Sequence, residues 1–177
     1  ARRGYLPGLA ISNGAFREEA GGGLCQLANL IHYLVLHTPL EVTELHHHSD
    51  ALFPDSERRV PFGTGTSVFY CNVDYRFRNT SEVPVQLLAW VDGELLCGEL
   101  RAEKPFPLRY RLIEEGSCYT READGFYRNS RVYRRCFERE SGRELPRELI
   151  LVNHSKVMYD PSLIPPEQLA GEGTPCR

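Results

Sequence analysis

Two stretches of this chain carry residue types that do chemistry: G-G-G-L-C-Q-L-A-N, Gly21 to Asn29, and E-L-H-H-H-S, Glu44 to Ser49. Cys25 follows the glycines and enters a run where Leu24, Leu27, Leu30, Ile31, Leu34 and Val35 recur at three- and four-residue spacing. That spacing predicts an amphipathic, largely buried helix over 24–36, with Cys25 in its first turn. A thiol placed there is favoured as thiolate by the helix dipole and by free backbone N–H groups, and a neighbouring imidazolium favours it further. Gly22 and Gly23 permit a substrate backbone to come close. Amides at the helix start, with Gln26 beside them, are candidate oxyanion donors.

The histidines reach the cysteine only if the chain turns back. Thr38-Pro39 ends the helix, because proline disfavours helical geometry in its predecessor and has no N–H to donate. From Cys25 to His37 the helix rises roughly 18 Å, a length that a strand from Leu40 covers in about five or six residues. The return therefore ends near His46 to His48. One reading is nucleophilic catalysis, with Cys25 as nucleophile and His48 or His46 as general base. The other is a metal site: His46 and His48, two apart on a strand, share a face and with Cys25 make a three-ligand set for zinc or copper. Order and spacing do not choose between them. The competing structural role for Cys25 is an inert core thiol. His32 and His37 read as helix-surface or capping residues, and His154, in N-H-S-K, as part of a turn with Asn153.

The elements that position these residues follow from the same patterns. Gly4 to Asn13 reads as a turn and a short apolar strand, followed by a polar loop to Ala20. Ser67 to Phe77, Val83 to Val91, Leu95 to Leu100 and Leu108 to Ile113 read as a meander, and Arg131 to Phe137 with Glu148 to Val152 as a further hairpin. The fold class is α+β, one prominent buried helix packed on a mainly antiparallel sheet of meander and hairpins. The domain is expected over 1–160, with a flexible tail over 161–177.

Composition narrows the function classes. In 177 residues, 21 basic against 24 acidic side chains give a net charge of −3, and no basic block dominates, so nucleic acid is not an expected partner. Of the 21 bases only Lys104 and Lys156 are lysine, a bias ascribed to genome composition. The apolar run from Leu27 to Leu36 is too short to span a bilayer, so no transmembrane segment is expected in this chain. The six cysteines include no C-x-x-C pair and leave the redox compartment, cytoplasm or cell envelope, open.

Taken together the motifs resemble the VanW proteins, a family named from an accessory gene of B-type vancomycin-resistance clusters. The resemblance runs through G-Y-L-P-G-L-A-I-S-N-G (Gly4 to Gly14), G-G-G-L-C-Q-L-A-N-L, L-H-T-P-L (Leu36 to Leu40) and E-L-H-H-H-S. It continues through D-Y-R-F-R-N (Asp74 to Asn79) and N-H-S-K-V-M-Y (Asn153 to Tyr159). Ala28 stands where the family usually has serine, and Leu45 where arginine commonly precedes the first histidine. The resemblance implies that Gly22, Gly23, Cys25, Gln26, His48 and Asp74 matter, with His46 close behind. It adds Asp74 as the carboxylate that would orient the base. Larger relatives carry membrane anchors and a peptidoglycan-binding module, which implies peptidoglycan or its peptide precursors as partner and acyl transfer or hydrolysis as reaction. The metal site and a non-enzymatic envelope assembly factor remain as alternatives, and the chain is expected to be the C-terminal part of a longer protein.

Overall fold

In chain order the strands are β1 (Pro7–Ser12), β2 (Ala15–Ala20), β3 (Glu41–Glu44), β4 (Asp50–Ala51), β5 (Arg76–Arg78), β6 (Val85–Asp92), β7 (Leu95–Ala102), β8 (Leu108–Glu122), β9 (Gly125–Glu138) and β10 (Glu144–Val157). Among the described residues one α-helix, α1 (Leu24–Leu36), lies between β2 and β3. The computed structural model describes all residues except 1–3, 5–6, 13–14, 21, 48–49, 55–59 and 172–177. The class is α+β, with strand far exceeding helix. The chain divides into two units, Ala1–His47 with Gly65–Phe106, and His48–Thr64 with Pro107–Arg177.

In the first unit α1 occupies the span that its apolar spacing predicts. Its last turn is closed by Thr38, whose backbone N–H and hydroxyl both donate to the Val35 carbonyl, at 2.9 and 2.6 Å. His37 takes the last-turn role expected of it, its Nδ1–H donating to the Tyr33 carbonyl at 2.8 Å. Val35, Leu40 and Phe106 form the buried centre, with Ile31, Val42, Phe77, Val85 and Leu100 packed around them. Burying such aliphatic and aromatic groups stabilises by about 1.5–3 kcal/mol each.

The sheet beneath the helix differs from the expected continuous meander. β3 pairs with β5 and β6 with β7, each as a separate antiparallel pair. From Ser67 to Tyr75 the described residues form a single bridge, Phe69 to Val73, around a tight turn in which Cys71 has a φ of 63°. β-Branched and aromatic content there reflects half-buried packing rather than a strand. The segment read as a polar loop before Ala20 is strand β2, antiparallel to β1 from Pro7↔Ala20 to Ser12↔Ala15. Arg17, Glu18 and Glu19 are all exposed, so the ladder leaves no period-two signal to read.

The second unit is a four-stranded sheet of order β4-β10-β9-β8, antiparallel except where β4 joins β10 in parallel. Val132 is fully buried in β9, and Tyr119 and Ala51 nearly so. The β8 to β9 turn at Ala123-Asp124 extends two strands that the alternation alone marks as much shorter. Residues 161–170, expected to belong to a loose tail, make defined contacts: Ile164 is buried and the Ala170 N–H donates to the Tyr119 carbonyl at 2.8 Å. Asp160 caps this stretch by accepting from the Ser162 N–H at 2.9 Å.

Candidate functional site

The start of α1 is set by glycines. Gly23, at φ 82°, takes a left-handed conformation and accepts the first helical bond from Leu27 at 3.1 Å. Gly22 abuts β1 so closely that a side chain there would collide with the Gly8 carbonyl. The room at Gly22 is thus taken up by the protein's own backbone, whereas nothing crowds Gly23. Gln26 is exposed in the first turn.

Cys25 is half-buried at this helix start, and its thiol donates to the Val68 carbonyl at 3.4 Å. That carbonyl belongs to a segment that serves the whole helix face. The Thr66 N–H donates to Asn29 Oδ1 at 2.7 Å, and His32 Nδ1 lies 3.0 Å from the Tyr75 hydroxyl. Cys25, Asn29 and His32 stand at i, i+4 and i+7, one stripe of the helix. Between the bonds to Asn29 and Cys25, the Ser67 N–H donates to the His46 carbonyl at 2.6 Å. The chain reversal at Pro39 therefore brings the His46 backbone and the Cys25 thiol to consecutive residues, Ser67 and Val68.

The His46 ring is engaged with a carboxylate. Its Nε2 lies 3.0 Å from Glu44 Oε1, while Glu44 Oε2 is 3.1 Å from Arg76 Nε. Arg76 Nη2 in turn donates to Asp74 Oδ2 at 2.8 Å. The register of β3 on β5, with Glu44 opposite Arg76, builds this chain of contacts. His46 and Asp74, both marked by the sequence, are thereby linked through two residues that were not. The Asp74 and Glu44 carboxylates hold the Arg76 guanidinium above its ordinary pKa, in an exposed setting. No hydrogen bond joins Cys25 to His46 or Asp74 among the described residues. His48, a candidate base and ligand, lies outside the described residues, as do Ser49 and Gly21. Among the described residues no group of three histidine, cysteine or carboxylate side chains is arranged to hold a metal ion.

His32 corrects the surface role assigned to it: it is 1% exposed. Its Nε2 has no partner among the described residues, and its ring meets Tyr75 edge-on, centroids 5.2 Å apart. Burial, and then the charge of His47, pushes the His32 pKa down to about 4, while burial pushes the Tyr75 hydroxyl up. Asn29, Thr66, Glu44, Arg76 and Tyr75 are the site residues that motif reading missed. One signal was present: an asparagine within an apolar helix competes for backbone bonds and disfavours the helix unless it is used.

β3 ends at Glu44, short of the strand expected to run on to His48, so the described residues place a half-buried thiol at the start of α1 and, just past the end of β3, an imidazole paired with Glu44. The chain belongs to the VanW family, whose model, described as VanW like protein, matches residues 1–101. It is similar to the Vancomycin B-type resistance protein VanW of Enterococcus faecalis, at 28% identity over 155 residues, 88% of this chain and 56% of that protein. The chain thus spans about half the length of that curated relative. No solved structure matches it.

Proposed function

We propose that this chain is the catalytic part of a cysteine-dependent enzyme acting on an amide or ester bond of cell-wall peptide, in the service of glycopeptide resistance. The observation that carries the reading is the joint anchoring of Cys25 and His46 on Val68 and Ser67. The Cys25 thiolate attacks the carbonyl carbon, and the proton lost from sulfur goes to His46. Amides at the start of α1 hold the oxyanion. The imidazolium then gives its proton to the departing amine or alcohol as the bond to carbon breaks, leaving a thioester on Cys25. Water or an acceptor amine cleaves that thioester and returns the free thiol. Glu44 orients the ring and stabilises its charged form, the task first assigned to Asp74. Kinship with a named resistance protein supports the cell-wall substrate.

The test is incubation of the full chain with peptidoglycan-derived peptides, followed by intact-mass measurement. An acyl adduct on Cys25, with turnover lost in Cys25→Ala and reduced about 100-fold or more in His46→Gln, supports the reading. Turnover unchanged in Cys25→Ala, or no turnover and no adduct with any such peptide, overturns it.

A further inference from the structure

The solvent side of the second unit's sheet carries a charge pattern opposite in sign to the chain. Residues opposed across an antiparallel ladder share a face. Between β8 and β9 the pairs on this face are Arg109↔Phe137, Arg111↔Arg135, Ile113↔Tyr133 and Glu115↔Arg131. From β10, Arg147 lies over the Tyr133 ring at 4.0 Å and donates to Glu115 at 2.7 Å. Arg135 lies over Phe137 at 5.0 Å and makes two bonds of 2.6 Å to Glu144. At this end of the face five guanidiniums thus meet two carboxylates, a local surplus of three positive charges in a chain whose net charge is −3, while further along the same face Lys156 pairs with Asp124 and His154 lies beside Glu122. Arg109, Arg111 and Arg131 are exposed, and their guanidiniums hold no ion pair among the described residues. Arg111 stands directly opposite Arg135, a like-charge pairing that costs stability.

The layout indicates which anion would relieve this. Arg109 and Arg111 are about 7 Å apart along β8, and neighbouring strands are about 5 Å apart. The charges therefore form a strip rather than converging on a point, which suits a repeating anion better than a single one. Guanidinium forks match phosphate oxygens in pairs. Single-stranded nucleic acid would also need open rings on which bases stack, and the rings here are covered by Arg147 and Arg135.

We propose that the Arg109, Arg111 and Arg131 strip of β8 and β9 binds a linear, soluble phosphate polymer that carries no bases. The surface lies past residues 1–101, outside the matched family region, and uses none of the residues assigned to the Cys25 chemistry.

The probe is inorganic polyphosphate, titrated against the full chain by fluorescence anisotropy between about 50 and 200 mM salt, where such binding weakens steeply. Binding at low salt is expected. The variant R109Q/R111Q/R131Q is expected to bind at least about 30-fold more weakly, with the slope against log salt reduced by about 2 to 3. The control R78Q/R101Q/K104Q, with the same charge removed elsewhere, is expected to bind as the parent does. All three side chains of the first variant are exposed, and the loss of Arg131 opposite Glu115 is offset by the loss of the like-charge pair Arg111↔Arg135, so the fold is expected to be kept, which circular dichroism checks. Four results overturn the proposal: no binding at 50 mM salt, equal loss in both variants, tighter binding to a mixed-sequence single-stranded oligonucleotide of equal charge, or binding to anionic phosphatidylglycerol vesicles but not to polyphosphate.

Discussion

The segment from Gly65 to Tyr75 and the sheet β8 to β10 are held in opposite ways. In the first, backbone groups are met by helix side chains: the Thr66 N–H by Asn29 and the Val68 carbonyl by Cys25, while Tyr75 reaches His32 through its hydroxyl. In the second, backbone ladders over 14 to 15 residues do the holding, and the side chains of the solvent face are left to pair with one another or with nothing. Regular pairing leaves side chains available for binding across a broad face. Irregular chain tied down by side chains fixes a few groups in place, as a reactive centre requires.

The side-chain-held segment is most sensitive at His32. Its pKa of about 4 in the folded chain lies below the ordinary 6.5, so at neutral pH both folded and unfolded states hold it neutral. As pH falls below about 6.5 only the unfolded chain takes up the proton, and the stability present above that pH is lost progressively down to about pH 4. The loss from this group is on the order of 3 kcal/mol at its limit. The double variant H32F/Y75F, which removes both polar partners, should lose that acid sensitivity while staying within about 1 kcal/mol of the parent at pH 7. Denaturant titrations at pH 7, 5.5 and 4.5 measure it, and identical slopes in parent and variant would contradict the burial of this ring.

Next in size, Asn29→Ala leaves the Thr66 N–H without its acceptor, and Thr66 is fully buried. A loss of about 2 kcal/mol is expected, with faster hydrogen exchange confined to the first unit. A smaller effect is expected on the sheet. Arg147→Ala removes one cation–π contact and one exposed ion pair and should cost less than about 1 kcal/mol in the same denaturant assay. Smallest, and of opposite sign, Arg111→Thr should stabilise by a few tenths of a kcal/mol by removing the charge facing Arg135.

What the sequence made legible divides along the same line. α1 was readable because six apolar residues keep helical spacing, and its end because Thr38-Pro39 stops it. In the second unit the β9–β10 hairpin was readable in position but not in length, and β8 was marked only as a short meander strand rather than as the partner of β9, since Glu114, Glu115 and Arg131 interrupt the apolar alternation that marks a strand. Strand β2 was hidden because Arg17, Glu18 and Glu19 all face water. At the candidate site, residue type pointed to Cys25 and His46 and the family resemblance to Asp74, but their actual partners are set by register and by long-range bonds. Glu44 meets Arg76 only because β3 pairs with β5 at that offset, and Asn29 finds Thr66 across 37 residues. Periodicity carries no information about either. His32 looked like a surface residue because its stripe is polar, and that polarity is matched by Tyr75 rather than by water.

The proposed function requires Cys25 to be a reactive thiol whose segment is anchored next to that of His46, on Val68 and Ser67. Cys71 supplies an internal reference, a free and exposed cysteine where Cys25 is half-buried. Iodoacetamide labelling of the native chain, resolved by peptide mass, compares the two in one sample. Cys25 is expected to be labelled faster than Cys71 despite its lower exposure, and that advantage to shrink at least about tenfold in His46→Gln. Labelling of Cys71 alone, with Cys25 modified only on unfolding, would contradict it.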